Sequence, residues 1–542
     1  MESSRELQFF VGGKMKKTNI IFTILIISFI SPFTAVRSQD PPEDFLTDVS
    51  ISTTQLHEWM PSITYNPIDN EFLLLWHTTG VREPGGANMY SLHGQRISPD
   101  GELVGESFMP LPTIDTGRRI LPRAAHNIFT NQYMVVFCME QPITGWDPFI
   151  TIIDSTGTIL SGPVCLSAQP TNANHAFIVF NPARRQYLIA YNDSRNGKQD
   201  VFGVIVDENG AVVKEDFPIC TAPGEQQNPF VCYNTTNDTY LMNWEDFRNV
   251  ATWTEPGDMY GALLDGEGNI IKADIPIIDD HGEDDAGGQW LNSIAYNPDR
   301  KEFLVSWMDT RPSLNSGVGI VGRFFKSDGS PAGPDFTLVD TIGSQYWHQS
   351  LYIPEKQRYV VVWQDTRNDA PDATPLNTKN TDIYARWFNA KGEPVDTEIT
   401  LCTEQLNQQY AIVAYCPLMD RLLFAWRDEL KEEVPGGGGS GHVAESGGNI
   451  MGKIIGAQSF LTCRIVEKGT GIAVKDARVL VIGPSLPTIK DTDIGGWFNI
   501  ANGRQRKGTY FIFTYKSGYE IEMQSIVYNG EPLHAAIELT KR

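Results

Sequence analysis

The chain has 542 residues and a formal net charge of −23, with 66 acidic and 43 basic side chains. This length exceeds one ordinary hydrophobic core and predicts several domains or one large body built from repeats. An acidic surface repels the phosphates of nucleic acids and of anionic lipids, so neither is an expected partner. Aromatic residues make up 11% of the chain, which also contains 48 Gly and 33 Pro, and this composition favours many short strands separated by turns.

Residues 1–38 have the pattern of a secretory signal peptide. Lysines at positions 14, 16 and 17 precede an apolar run from Ile20 to Phe33, and Val36-Arg37-Ser38 follows with small or β-branched residues. The run is short for a membrane-spanning helix, and no other segment approaches about 18 apolar residues. We therefore expect a mature chain that is secreted or held at the cell surface, without membrane insertion after cleavage.

A tripeptide pattern recurs along residues 39–459. It first occurs as Tyr65-Asn66-Pro67. Related copies begin at His126, Phe180, Tyr233, Tyr296, Tyr352 and Tyr415. An apolar strand such as FLLLWH or YVVVWQ follows each copy, and a hairpin and a fourth strand come after it in most units. Four antiparallel strands every roughly 40 to 60 residues predict an all-β fold, a seven-bladed β-propeller.

The seventh unit lacks a fourth strand of its own, because NIMGKII at residues 449–455 runs directly into a different pattern. Residues 48–53, DVSIST, are similar to the fourth strands FTLVDT and ITLCTE of other units. We expect this N-terminal strand to complete the last blade. Pairing the two ends of the ring removes the exposed edges that an open sheet would present.

Residues 460–542 alternate apolar and polar positions between Gly turns, which predicts a small antiparallel β-sandwich. Three elements stand out, namely Ala477 to Val481, Thr492-Asp493 through Gly496 and Phe498, and Gly508-Thr509-Tyr510 through Gly518-Tyr519. In these elements the segment resembles the carboxypeptidase-regulatory-like (transthyretin-like) family. The resemblance implies an accessory domain for docking, spacing or glycan contact on exported proteins, without peptidase activity.

In a propeller, the loops between blades and the loops between second and third strands emerge on one face, so residues from all blades converge there. The candidate ligand-binding residues of this face are His57, Glu58, Trp59, Arg119, Arg123, His175, Gln227, Gln289, Trp290, Trp347, His348 and Tyr410. Aromatic rings stack on the C–H surfaces of sugars, and planar polar groups satisfy hydroxyls. A polysaccharide is therefore the expected ligand, with a surface protein as the alternative. Trp290 and Trp347 could instead serve only as packing between blades.

The sequence leaves binding and catalysis open. His57, His77, Arg119, Arg123 and His175 could gather as base, acid and carboxylate neutraliser, as a polysaccharide lyase or a glycoside hydrolase requires. No nucleophile elbow, phosphate loop or metal-ligand spacing stands out, so we favour a non-catalytic binding protein and assign no catalytic residue. A structural component of a surface assembly is the third interpretation.

The W-x-D-x-R motif occurs at Trp244–Arg248, Trp307–Arg311 and Trp363–Arg367, with a related version at Tyr191–Arg195. Because the motif repeats from blade to blade, we expect a structural role. Its Asp would accept backbone N–H groups at the turn, and its Arg would bind a neighbouring carboxylate or carbonyl.

The run Asp279–Asp285 is the densest acidic cluster of the chain, and its carboxylate oxygens could bind calcium. The run lacks the regular spacing of an EF-hand loop. A solvated acidic loop is the preferred interpretation, and no cofactor is otherwise expected.

Overall fold

The computed structural model describes residues 45–52, 57–79, 90–111, 118–167, 169, 171–250, 257–278, 287–315, 317–369, 380–429, 448–457, 459–484, 487–501, 505–530 and 532–542. These residues belong to one compact unit, Pro42–Arg542. The predicted signal peptide and the acidic run Asp279–Asp285 lie outside the described residues. Within the described ranges, no helix has the length and apolar character needed to cross a membrane.

Residues up to Gly456 form β-strands that pair in four-stranded antiparallel units, called sheets 1 to 7 in chain order. A parallel pairing of His57 with Gly448 joins sheets 1 and 7 into one eight-stranded sheet. Sheet 1 contains β2 (His57–Asn66), β3 (Glu71–Thr79), β4 (Tyr90–Ile97) and β5 (Leu103–Phe108). Sheet 2 contains β6 (Arg119–Asn127), β7 (Gln132–Gln141), β8 (Gly145–Asp154) and β9 (Ile159–Cys165). Sheet 3 contains β10 (Ala173–Asn181), β11 (Gln186–Asp193), β12 (Asp200–Asp207) and β13 (Val212–Cys220). Sheet 4 contains β14 (Gln226–Asn234), β15 (Thr239–Asp246), β16 (Asp258–Asp265) and β17 (Ile270–Ile278).

The remaining sheets of this region follow the same order. Sheet 5 contains β18 (Gln289–Asn297), β19 (Glu302–Asp309), β20 (Gly319–Lys326) and β21 (Phe336–Val339). Sheet 6 contains β22 (Gln345–Ile353), β23 (Arg358–Asp365), β24 (Asp382–Asn389) and β25 (Ile399–Cys402). Sheet 7 contains β26 (Gln408–Cys416), β27 (Arg421–Glu429), β28 (Gly448–Gly456) and, from the start of the chain, β1 (Phe45–Ser52).

The first strands of these sheets, called inner strands below, contact one another in a closed cycle. β2 contacts β6, the series continues through β10, β14, β18 and β22 to β26, and β26 contacts β2. The sheets therefore surround a common axis as the blades of a β-propeller. Hydrophobic clusters lie between neighbouring sheets, and one of them joins Val136 and Ile150 of sheet 2 to Ile189 and Tyr191 of sheet 3.

The first strand of the chain completes the sheet that contains the last inner strand. β1 pairs antiparallel with β28, and Val49 lies opposite Gly452 while Asp48 lies opposite Lys453. The Lys453 amine is 3.2 Å from a carboxylate oxygen of Asp48. The pairing predicted for residues 48–53 is thus confirmed for its described part, residues 48–52.

The W-x-D-x-R motif links the second strand of a sheet to the hairpin beside it. In sheet 5 the indole Nε1 of Trp307 donates to Asp309 Oδ2 at 2.8 Å, and Asp309 Oδ1 accepts the backbone N–H of Arg311 at 2.8 Å. The Arg311 guanidinium pairs with Asp309 at 2.7 Å and with Asp335 at 2.6 Å. The second carboxylates in sheets 3, 4 and 6 are Asp216, Asp274 and Glu398. The predicted structural role is confirmed.

A glycine on the third strand of several sheets makes room for the fourth strand. A Cβ atom on Gly94 of β4 would lie 2.6 Å from the ring of Phe108, and one on Gly203 of β12 would lie 2.9 Å from Ile219. Any larger residue would push the fourth strand away. The recurrent glycine in SLHGQ and DVFGV therefore follows from the close packing of the hairpin.

Residues 459–542 form two further sheets, with the strand orders β32-β29-β35 and β31-β30-β33-β34. The strands are β29 (Ser459–Glu467), β30 (Arg478–Ile482), β31 (Thr488–Asp491), β32 (Trp497–Ala501), β33 (Gly508–Tyr515), β34 (Glu522–Tyr528) and β35 (Leu533–Leu539). Phe460 and Cys463 of the first sheet are buried in the same cluster as Val479 and Tyr510 of the second. The two sheets therefore share one hydrophobic core.

These C-terminal sheets contact the turn between β2 and β3. The indole of Trp497 donates to the carbonyl of Ile68 at 3.0 Å, and the Arg464 guanidinium donates to the same carbonyl at 3.2 Å. Arg464 also lies 3.6 Å from a carboxylate oxygen of Asp69. The turn follows the end of β2, and a strand of 10 residues places that end about 30 Å from its beginning at His57.

Candidate functional site

Each inner strand is interrupted by a β-bulge near its start. In β2 the pairing with β3 shifts between Trp59 and Ser62, and the other inner strands shift at the equivalent place. One bulged residue of each inner strand has a φ between 45° and 59°, namely Met60, Leu121, His175, Asn228, Leu291, Trp347 and Tyr410. None of these is glycine, so an L side chain is held in the left-handed region in every inner strand. The bulges redirect the neighbouring side chains at one end of the axis.

Three aromatic residues from adjacent sheets contact one another at this end, and we call them the aromatic arc. Tyr410 lies between Trp59 and Trp347, and its ring centroid is 5.8 Å and 4.8 Å from theirs. All three side chains are partly exposed. The guanidinium carbon of Arg427 lies 4.1 Å from the centroid of Trp59, and Arg427 Nη1 donates to Gln409 Oε1 at 2.8 Å. This stacking fixes the plane of the Trp59 ring.

A second group, the arginine cluster, consists of Arg123, His175, Phe177 and Phe230 from sheets 2, 3 and 4. The guanidinium carbon of Arg123 lies 4.6 Å from the ring centroid of Phe177 and 5.5 Å from that of Phe230. Burial lowers the pKa of Arg123 to about 10, so the side chain is cationic at neutral pH. Desolvation by the surrounding strands and the charge of Arg123 lower the pKa of His175 to about 4, although its side chain is exposed.

Several of the predicted ligand-binding residues are buried, namely Glu58, Arg119, Gln289 and His348. Glu58 Oε2 accepts the backbone N–H of Ile450 at 2.9 Å, and Gln289 Nε2 donates to the carbonyl of Gly287 at 2.8 Å. These hydrogen bonds tie the starts of β2 and β18 to neighbouring backbone. The partly exposed predicted residues outside the two groups are His57, Gln227 and Trp290.

The acid and base assembly predicted from five residues of sheets 1 to 3 is found only in part. Arg123 and His175 interact electrostatically. His77 is buried on β3, and burial alone lowers its pKa to about 4. Among the described residues, no group of three His, Cys, Asp or Glu side chains is placed to hold a metal ion.

Glu245 on β15 joins two of the bulges and was not found from the sequence. Its Oε1 accepts the backbone N–H of Leu291 at 2.8 Å, and its Oε2 accepts a hydrogen bond from Asn228 Nδ2 at 2.9 Å. Burial raises the pKa of this carboxyl to about 7. The side chain therefore links sheets 4 and 5 next to the arginine cluster.

No local pattern in the sequence marks the other missed residues. Phe177 and Phe230 each stand two positions after the bulged residue of their strand, and the bulges were not predicted. Arg427 follows directly after the strand letters LLFAW. Its stacking on Trp59 depends on the closure of sheet 7 against sheet 1, which no local pattern reports.

Similarity to known proteins is structural. A scan against family models and a search of curated proteins give no match. An α-L-arabinanase of Penicillium chrysogenum complexed with arabinobiose aligns with a TM-score of 0.41 and 12% identity over 75% of this chain and 97% of that chain. An α-L-arabinofuranosidase of Fusarium graminearum in complex with an iminosugar inhibitor aligns with a TM-score of 0.40 and 11% identity over 77% and 95%. A thermostable family-43 glycoside hydrolase aligns with a TM-score of 0.34 and 16% identity over 55% and 98%. These scores are too low to bear on the activity of this chain.

Proposed function

We propose that this protein is an exported or cell-surface carbohydrate-binding protein whose polysaccharide ligand lies across the starts of the inner strands. Its body, residues 39–459, is a seven-bladed β-propeller closed by β1. Residues 460–542 are a carboxypeptidase-regulatory-like β-sandwich that docks or spaces this body. The predicted signal peptide, residues 1–38, directs export.

The observation that supports this function best is the aromatic arc. Trp59, Trp347 and Tyr410 come from three separate inner strands, yet their rings contact one another and stay partly exposed. A core aromatic would be fully buried, as Trp76 and Trp363 are. Contiguous exposed rings provide a surface for the C–H faces of sugar units. Arg427 holds one ring in place before a ligand arrives, which reduces the entropic cost of binding.

Binding to a glycan array, followed by titration of the best ligand, tests this proposal. The double variant Trp347→Ala, Tyr410→Ala should weaken binding by roughly tenfold or more, because stacked rings contribute about 0.5–1.5 kcal/mol each beyond their buried area. Phe129→Ala is the matched control, since Arg185 stacks on that exposed ring at 4.9 Å, and Phe129 lies in the turn after β6, remote from the inner-strand starts. Unchanged affinity in the double variant, with a melting curve that shows a folded chain, would reject the arc as the binding site.

A glycoside hydrolase acting at the same end of the axis is the second candidate. The raised pKa of Glu245, about 7, favours it, because a carboxyl that keeps its proton near neutral pH suits a general acid. Such an enzyme also needs a second carboxyl group across the ligand. The test is a panel of neutral and acidic polysaccharides, assayed for new reducing ends, with the ultraviolet absorbance of unsaturated products indicating a lyase instead. Activity that Glu245→Gln abolishes supports the hydrolase, and no product across the panel counts against it.

A further inference from the structure

Arg123 occupies a position that is uncharged in every other inner strand. It is the first residue to resume pairing after the bulge of β6. The equivalent residues of the other inner strands are Ser62, Phe177, Phe230, Ser293, Gln349 and Ile412. Arg123 is thus the only charged side chain among these seven equivalent positions.

Among the described residues, no carboxylate pairs with the guanidinium of Arg123. Within the described ranges it forms no side-chain hydrogen bond and no ion pair, and its neighbours are the rings of Phe177 and Phe230. By contrast, Arg311 and Arg367 each pair with two carboxylates. A partly buried arginine that pairs with no carboxylate of the described part of the chain is a position open to an external anion.

The two phenyl rings prepare this arginine for a planar anion. Their centroids are 4.8 Å apart, and they lie along the guanidinium on sheets 3 and 4. Packing of this kind limits the rotamers of Arg123. The phenyl rings offer no oxygen or nitrogen acceptor, so the N–H donors of the guanidinium stay available to a ligand. A guanidinium fork matches a carboxylate, which it can bind with two parallel hydrogen bonds.

His175 adds a polar partner of a different kind. Its Nδ1 lies 2.9 Å from Asn174 Oδ1, which assigns the ring proton to Nδ1 and leaves Nε2 as an acceptor. The low pKa keeps the ring neutral at pH 7, so it does not compete with Arg123 for an anion. An acceptor beside a cation fits a ligand that carries both a hydroxyl and a carboxylate.

We propose that Arg123, packed against Phe177 and Phe230 beside His175, binds the carboxylate of a uronic acid unit in the polysaccharide ligand. The inference rests on the proposed carbohydrate-binding function and names the class of sugar. The net charge of −23 opposes an acidic ligand at long range, but salt screens that repulsion beyond about 8 Å at physiological ionic strength. The contact with a partly buried guanidinium is screened much less.

Calorimetric titration of the full chain with tetragalacturonate and with its methyl ester tests the inference. The ester keeps the sugar rings and removes the negative charge. The wild-type chain should bind the acid roughly tenfold or more tightly than the ester, and Arg123→Gln should bind both equally, at the affinity of the ester. Arg185→Gln is the matched control, because Arg185 also stacks on a phenyl ring, that of Phe129 at 4.9 Å, but pairs with Glu208 far from the inner-strand starts.

The outcomes separate this inference from the proposed function. If the wild-type chain binds acid and ester equally, or if Arg123→Gln keeps the preference, the carboxylate assignment fails while carbohydrate binding stands. If neither oligosaccharide binds while the glycan array identifies another sugar, the uronate assignment fails and carbohydrate binding stands; if the array also shows no ligand, both are rejected. If polyglutamate binds in their place and loses affinity in Arg123→Gln, the site takes an acidic peptide and the sugar assignment is wrong. Arg123→Lys, which keeps the charge but not the fork, should give an intermediate preference and shows that the cluster still folds.

Discussion

Glu245 shows how a single buried carboxyl can organise two inner strands. It accepts a backbone N–H from Leu291 and an amide N–H from Asn228, which fixes both bulged residues on adjacent sheets. Burying the ionised form is costly, since two hydrogen bonds replace a full hydration shell. The carboxyl therefore holds its proton to a higher pH than a solvated glutamate does.

This shift predicts a pH-dependent stability. The folded-state pKa is about 7, and an unfolded Glu titrates near 4.3, so between these values the folded chain binds more protons than the unfolded chain. The contribution of Glu245 to the free energy of unfolding therefore falls as pH rises from about 4 to 7, by up to about 3 kcal/mol, and is constant above that. Glu245→Gln removes this titration.

Urea unfolding at about pH 5 and pH 8 measures the effect, taken as the stability of Glu245→Gln minus that of the wild-type chain. The difference should increase by about 2 kcal/mol in favour of the variant between these pH values. Glu267→Gln, which removes a carboxyl from an exposed side chain, controls for the lost charge. An equal difference at both pH values would contradict the assignment.

At the scale of the strand, the repeated bulge is the feature that builds the candidate site. Seven inner strands place a non-glycine residue in the left-handed region, including the bulky Trp347 and Tyr410. Placing an L residue in the left-handed region of φ and ψ costs about 1 kcal/mol or more. Packing against the surrounding sheets must offset this cost. The side chains that flank the bulge therefore point in directions that differ from those of a regular strand.

Leu121 allows this backbone strain to be measured. It has a φ of 58°, so Leu121→Gly should be more stable than Leu121→Ala by about 1 kcal/mol, although both lose the same contacts. At an ordinary strand position the order is reversed, and Ala124→Gly in the same strand should cost about 0.5–1 kcal/mol. Urea unfolding of the three variants gives the comparison. A Leu121→Ala variant as stable as Leu121→Gly would show that the bulge is unstrained.

The repeat was readable from the sequence, but the bulges were not. The Tyr-Asn-Pro turn and the apolar second strand locate the sheets because turn residues and alternation are local signals. Gly or Asn in a sequence ordinarily indicates a positive φ, yet the residues with positive φ in the bulges include Met60, Leu121 and Leu291. The burial of Glu58 and His348 also escaped prediction, since it depends on neighbouring sheets. Tertiary packing thus decided the finer geometry of the candidate site.

At the scale of the molecule, closure depends on a strand from the opposite end of the chain. Val49 and Ile51 of β1 are 3% and 4% exposed, and together they bury enough apolar surface to contribute several kcal/mol. Without β1, the edge of β28 would present unpaired N–H and C=O groups, which recruit other chains.

Removing β1 should therefore destabilise the whole propeller. A chain that begins at Thr53 should unfold with a free energy lower by at least about 3 kcal/mol than one that begins at Phe45, and it should elute partly as aggregates. Thermal melting and size-exclusion chromatography measure both effects. Leu46→Ser, at a side chain 56% exposed, should change little, while Val49→Ser should reproduce part of the loss. Equal stability of the two truncated chains would show that β1 is dispensable.

The hydrogen bonds of Trp497 and Arg464 to the carbonyl of Ile68 fix which end of the seven-sheet body the C-terminal sheets contact. If the C-terminal sheets are attached to a support, the attachment lies at the end of the body that is remote from the bulges. The aromatic arc then lies at the opposite end of the body, away from the support. A molecule tethered in this way keeps the same orientation toward the surrounding medium in every copy.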